Sequence, residues 1–134
     1  MATVVVLPDP EWADRDRIIG GVAGAIDVHG DSATEMCADL LRHAPQQPLV
    51  IVARGGACAA LPAVALAQRT AHRRVGGYLL VDPKPPAGTD VWPDAPVHVI
   101  TTDEQIARTS TLRGWSVSAE DVVTAIARLV AESG

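Results

Sequence analysis

The chain has 134 residues, 48% of them apolar and 20% charged, with 16 acidic against 11 basic side chains and a net charge of −5. That length suits a single domain over residues 1–134, and the apolar share can bury a core, which excludes wholesale disorder. The acidic balance argues against a nucleic-acid or anionic-membrane surface, and no run approaches the roughly 18 apolar residues that a membrane span needs.

The core is built from small and β-branched side chains. There are 22 Ala and 17 Val, three Trp, one Tyr and no Phe. Such residues suit close packing of helices on a sheet. Thr3–Leu7 is a short β-branched run ended by Pro8, the pattern of a buried strand. Helical spacing follows over Glu11–Ala23 (Trp12, Ile18, Ile19, Val22), weakened by Gly20 and Gly21. Ala25–Val28 reads as a second strand. Ser32 with Glu35 three positions on is a capping-box pattern, opening a helix that reaches about His43.

Pro48–Ala53 is the third and most hydrophobic strand, and Gly55-Gly56 makes a sharp turn after it. Ala57–Arg69 is an Ala-rich helix that tolerates Pro62 only near its first turn. Val75–Val81 holds a fourth strand, ending at Asp82. Asp82–Pro96, with five prolines in fifteen residues, reads as a non-helical surface crossover. Pro96–Ile100 is a fifth strand, Asp103–Arg108 one or two helical turns, and Gly114–Val117 a sixth strand. Ser118 is expected to cap a last helix, with Glu120 and Asp121 in its first turn and Val122, Val123, Ile126, Leu129 and Val130 on its apolar face.

Six strands alternating with helices predict an α/β fold of three layers, with a parallel sheet covered on both faces. In such sheets ligands bind beyond the carboxyl ends of the strands. The residues just after each strand are therefore the candidates: Pro8, Asp9 and Glu11, then His29 and Asp31, then Arg54, Gly55 and Gly56, then Asp82, then Thr101, Thr102 and Asp103, then Ser116 and Ser118.

The stretch PLVIVARGGACAALPAVALAQRTAHRRVGGYLLVDPKPP, Pro48 to Pro86, resembles the nucleophile-elbow segment of α/β-hydrolase thioesterases, the enzymes that release or proofread polyketides and nonribosomal peptides. The family's pattern runs from a strand into G-x-S-x-G, an Ala-rich helix, and a strand ending in Asp before a Pro-rich segment. Here the elbow reads Ala53-Arg54-Gly55-Gly56-Ala57, and Asp82 follows Gly55 by 27 positions, about the family's interval between Ser and Asp. The preceding DSATEMCADLLRHAPQQP resembles the helix before the elbow. The resemblance implies a minimal α/β-hydrolase-like core with sheet order 2-1-3-4-5-6, an order that is also flavodoxin-like with one strand added.

The departures from the family pattern agree with one another. The nucleophile position is Gly55, which has no side chain with which to attack an ester. No His follows the last strand. The lid position between Asp82 and Pro96 holds only the Pro-rich linker. The oxyanion segment would be Pro8-Asp9-Pro10-Glu11, whose prolines lack N–H donors and whose carboxylates repel an oxyanion. The resemblance thus implies a protein inactive as a hydrolase that serves polyketide or nonribosomal-peptide assembly. Its expected partners are an acyl or peptidyl carrier protein, or a small acyl or polyketide ligand.

Other readings stay open. Asp82 is either a relic of a triad or a turn-capping carboxylate. Cys58 offers a shifted elbow, Gly56-Ala57-Cys58-Ala59-Ala60, in which a thiol at a helix start would be nucleophilic; it is otherwise an ordinary buried thiol. His29 could pair with Asp82 or Asp31 as an acid–base group. With Asp82, His29 and Cys58 as catalytic groups, the crevice could serve a cyclase or isomerase. Arg54, Gly55, Gly56 and Ala57 could bind an anion such as a phosphopantetheine arm, or a ligand of flavodoxin type. Arg69, Arg73 and Arg74 around His72 are either a solvated helix end or a dock for an acidic partner.

The cysteines and the four histidines stand at no metal-ligand spacing, so no metal or cofactor is expected. MATVVVLPDPEW lacks the pattern of a secretory leader, and a reducing, cytoplasmic setting is expected. Loss of a lid would bare apolar surface around Val91 and Trp92, which predicts a homodimer or a partner there.

Overall fold

The computed structural model of the protein describes residues 2–84 and 94–133. Its strands are β1 (Thr3–Val6), β2 (Ile26–Asp27), β3 (Leu49–Arg54), β4 (Val75–Val81), β5 (Val97–Ile100) and β6 (Ser116–Ser118). They form one sheet in the order β2-β1-β3-β4-β5-β6, with every pair parallel. The expected sheet order is therefore observed.

The helices are α1 (Arg15–Gly20), α2 (Ala33–His43), α3 (Leu61–Thr70), α4 (Glu104–Leu112) and α5 (Val122–Ser133). They form two layers because strand side chains alternate between the two faces. Val5, Leu7, Ile51 and Leu80 pack with Met36 and Leu40 of α2 and Val64 of α3, joined by Ile106 of α4. Val4, Val6, Val50 and Leu79 pack with Ile18 of α1 and with Ala125, Ile126 and Leu129 of α5. The central strands β1 and β3 are covered on both sides, which is why they read as continuous apolar runs.

Several boundaries differ from the sequence expectation. Instead of spanning Glu11–Ala23, α1 is a six-residue helix. The Asp9 side chain turns the chain first, with Oδ1 accepting from the Glu11 amide at 3.0 Å. At the far end Gly21 closes the helix by donating back to Arg17 and Ile18. A 3₁₀ stretch over Gly55–Ala60 precedes α3, which places Pro62 in the first turn as expected. Instead of ending at Arg108, α4 runs to Leu112, held by Asp103, whose carboxylate accepts from the Gln105 and Ile106 amides. Ser118 lies in β6 and does not cap α5; Asp121 accepts from the Thr124 amide there, at 3.2 Å. The Ser32–Glu35 capping box is present, its return bond reaching the Asp31 amide.

Among the described residues no helix is long and apolar enough to cross a membrane. Val91 and Trp92, and most of the Pro-rich linker, lie outside the described residues.

Candidate functional site: the crevice at the carboxyl ends of β1 and β3

The chain leaves β1 toward β2 on one side, and leaves β3 toward β4 on the other. The crevice between their carboxyl ends is thus the place where such sheets receive ligands. Two segments frame it: Pro8 to Glu11 after β1, and Arg54 to Ala57 after β3. Arg54 Nη1 donates to Asp9 Oδ2 at 3.2 Å across the gap. The Asp9 side chain is only 9% exposed and that of Arg54 29%. The pair closes much of the crevice floor with the protein's own charges.

Gly55 sits beside this pair with φ at +55°. Glycine takes that left-handed conformation without the Cβ penalty an L side chain meets. A side chain there would have room. Its Cβ would meet Asp9 Oδ2 at 3.7 Å and Lys84 Cε at 3.9 Å, both ordinary contact distances. The Lys84 amide donates to the Gly55 carbonyl at 3.4 Å, and the Lys84 ammonium lies 3.8 Å from Glu11 Oε2. Gly56 is open on its outer side and Ala57 is half-buried. The Asp9 carboxylate therefore borders the Gly55 turn.

Cys58 lies beneath this floor and is 1% exposed. Burial, together with the nearby negative charge of Asp9, pushes its thiol up to about 12, with Arg54 opposing. That suits a packed thiol and not a thiolate nucleophile.

Asp82 ends β4 at the next position along the sheet. It is exposed, and its backbone is left-handed with φ at +43°. Its Oδ1 accepts from Thr101 Oγ1 at 2.7 Å, and Thr101 Oγ1 accepts from the Asp103 amide at 3.0 Å. This relay joins the end of β4 to the end of β5 and the start of α4. A cleft of about 350 Å³ opens beside it, lined by Pro83, Lys84, Asp103, Ile106, Ser110 and Trp115 among others.

His29 is not part of this group. It follows β2, three strand spacings from β4, which is about 14 Å at the usual inter-strand distance. Its ring is 73% exposed, with Nε2 3.8 Å from Asp27 Oδ2. Its amide donates to Asp39 Oδ2 at 2.9 Å. The expected pairing of His29 with Asp82 is thus not formed. The Asp31 amide is engaged by Glu35. The structure brings together Asp9, Arg54, Gly55, Lys84 and the buried Cys58, and separately Asp82 with Thr101. Among the described residues no group of three or more His, Cys, Asp or Glu is placed to hold a metal ion.

Two arrangements escaped the sequence reading. Arg15 runs under the ends of β1 and β2, where its guanidinium donates to the carbonyls of Leu7, Val6 and Val28 at 2.9–3.1 Å. It also forms an ion pair with Asp27 at 2.7 Å. The signal was present, since Arg15 falls on the helical stripe of Trp12, Ile18 and Val22, where an apolar residue belongs. The second arrangement is His98, buried in β5. Its Nε2 lies 2.9 Å from Ser118 Oγ and 3.3 Å from Glu120 Oε1. Serine and carboxylate share one ring nitrogen, so the carboxylate does not orient the ring from the opposite side as a catalytic triad requires.

Compared with protein-family models, curated proteins and solved structures, the chain matches none.

Proposed function

We propose that this chain is a thioesterase-like accessory or binding module of polyketide or nonribosomal-peptide biosynthesis, without hydrolase chemistry of its own. The observation that carries the reading is Gly55. It stands where a strand turns into a helix, in the left-handed conformation that suits such a turn, and has no side chain. A second support is the Asp9 carboxylate at the same spot, which opposes an oxyanion. The interval from Gly55 to Asp82 and the sheet order agree with a hydrolase-like core. Two free cysteines suit a reducing cytoplasm.

A cyclase or isomerase using Asp82, His29 and Cys58 together has less support, because His29 lies at the other side of the sheet and Cys58 is buried.

The test uses an acyl-pantetheine thioester. Release of free thiol is followed in one arm, and amide chemical shifts of the protein in the other. The expected result is no thiol release above the blank, with shifts concentrated at Gly55, Gly56 and Lys84. Enzyme-dependent thiol release overturns the non-hydrolytic reading. Unchanged shifts at saturating thioester overturn the binding role.

A further inference from the structure

Exposed apolar side chains come together on the outer face of α2 and α3. Among the described residues three large hydrophobic side chains are exposed, and two are here: Leu41 at 62% and Leu66 at 58%. Exposed residues at helical spacing continue each into a stripe, Thr34, Ala38 and Leu41 on α2 and Ala63, Leu66 and Thr70 on α3. A shallow groove between the helices is floored by small residues, among them Ala38, Ala63 and Ala67. Apolar surface grouped in this way marks an interaction face more often than isolated exposed leucines do.

Charge is sorted along the same face. The amino end of α2 carries Asp31 and Glu35, both exposed. The carboxyl ends of α2 and α3 carry Arg42, Arg69, Arg73 and Arg74, and the sequence from Leu40 to Val81 contains no acidic residue. Among the described residues, Asp31 and Glu35 have no cationic partner and Arg69, Arg73 and Arg74 have no anionic one. Arg73 instead donates to the Gln68 amide oxygen at 2.9 Å, and Arg42 is engaged by Asp39. Glu35 and Arg42 are seven residues apart, two turns or about 10 Å on one side of α2.

We infer that the α2–α3 face docks a second copy of this chain. The two-fold axis lies in the interface, perpendicular to the helices, so that α2 packs antiparallel on α2 and α3 on α3. Charge complementarity selects this arrangement. The antiparallel pairing sets Glu35 of one copy beside Arg42 of the other, twice by symmetry, where the largely exposed Arg42 guanidinium serves Asp39 of its own copy and Glu35 of the second. A two-fold along the helices would instead bring the arginine ends together, where like charges oppose association. The pairing centres near Ala38, whose small side chain allows close helix approach, and Leu41 and Leu66 leave water on both copies.

The test is sedimentation velocity of the full chain over a hundredfold concentration range. The wild type is expected to shift from monomer to dimer, and Leu41→Glu with Leu66→Glu to remain monomeric. Both positions are exposed, so a native circular-dichroism spectrum is expected for that variant. Glu35→Arg and Arg42→Glu are each expected to weaken association at least tenfold and their combination to restore it, with the urea midpoint of each variant reporting separately the loss of the Glu35 cap and of the Arg42–Asp39 pair. In a Cys37→Ser background, Ala38→Cys is expected to give a disulfide-linked dimer under mild oxidation, whereas Leu112→Cys on α4 gives none. A wild type monomeric throughout overturns the inference, as does a dimer indifferent to Leu41→Glu with Leu66→Glu. Cross-linking through Leu112→Cys in preference to Ala38→Cys assigns dimerisation to another face and overturns it as well.

Discussion

Arg54 reaches across the opening between β1 and β3 to hold Asp9, Nη1 to Oδ2 at 3.2 Å. Two residues 45 positions apart thus occupy, with their own charges, the place where folds of this architecture receive a ligand. Removing one partner leaves the other with little water to replace it. Arg54→Ala is expected to destabilise by about 2 kcal/mol, somewhat less than a wholly buried pair because Arg54 is partly exposed. Asp9→Asn with Arg54→Met is expected to recover part of that loss. Urea unfolding of the wild type and the two variants checks this, and an unchanged midpoint for Arg54→Ala would show that the pair contributes nothing to stability.

Gly55→Ser is expected to fold, lose about 1 kcal/mol through its left-handed backbone, and gain no esterase activity. The serine has room, but the Asp9 carboxylate borders it and opposes a developing oxyanion. Hydrolysis of p-nitrophenyl acetate by purified Gly55→Ser, measured against wild type, decides the point. A rate above wild type would mean that a base and an oxyanion site survive in the crevice.

The two cysteines are expected to differ sharply in reactivity. With its thiol pushed up to about 12 by burial, Cys58 stays protonated at neutral pH. Cys37 is half-buried, and burial raises its thiol less far. Titration with a chromogenic disulfide should label Cys37 in the native state and Cys58 only after unfolding. Rapid native labelling of both thiols would contradict the burial of Cys58.

His98 makes stability depend on pH. Burial holds it below its ordinary 6.5, Arg128 acts in the same direction, and Glu120 and Glu132 oppose them. Unfolded chain therefore binds a proton near 6.5 that folded His98 refuses. The stabilisation is complete above 6.5 and is lost as pH falls from there through the lower folded value. Asp39 and Glu120, both held below the ordinary carboxylate range, release their contributions only at more acid pH. His98→Gln is expected to flatten the fall in urea midpoint between about pH 7 and pH 5. An identical slope in wild type and variant would assign it elsewhere.

Strands β1, β3 and β5 were legible because each is a short apolar run rich in β-branched residues, a signal carried within a few neighbouring positions. The Ser32 cap and the placement of Pro62 were legible for the same reason. The extent of α1 was not. The apolar spacing of Trp12 to Val22 begins within the turn that Asp9 sets and runs on past the closure at Gly21, and periodicity registers neither. Nor was α4, where Thr109, Ser110 and Thr111 have weak helix propensity, yet Ser110 is buried against the sheet and the helix runs past all three. Long-range pairings were the least visible part of the site. Nothing in the spacing of Asp9 and Arg54 announces their ion pair, and the separation of His29 from Asp82 follows only once the strand order is known.

The all-parallel sheet also governs how the chain is made. Thr3 to Val6 of β1 lie beside Leu49 to Val52 of β3, about 46 residues later in synthesis. At the usual pace of translation, β1 waits about 2 to 9 seconds for its central neighbour. During that interval the TVVV edge is exposed with only the two-residue β2 to pair with. A nascent chain of this kind depends on what shields that edge at the ribosome, and slowed elongation before Arg54 would lengthen its exposure.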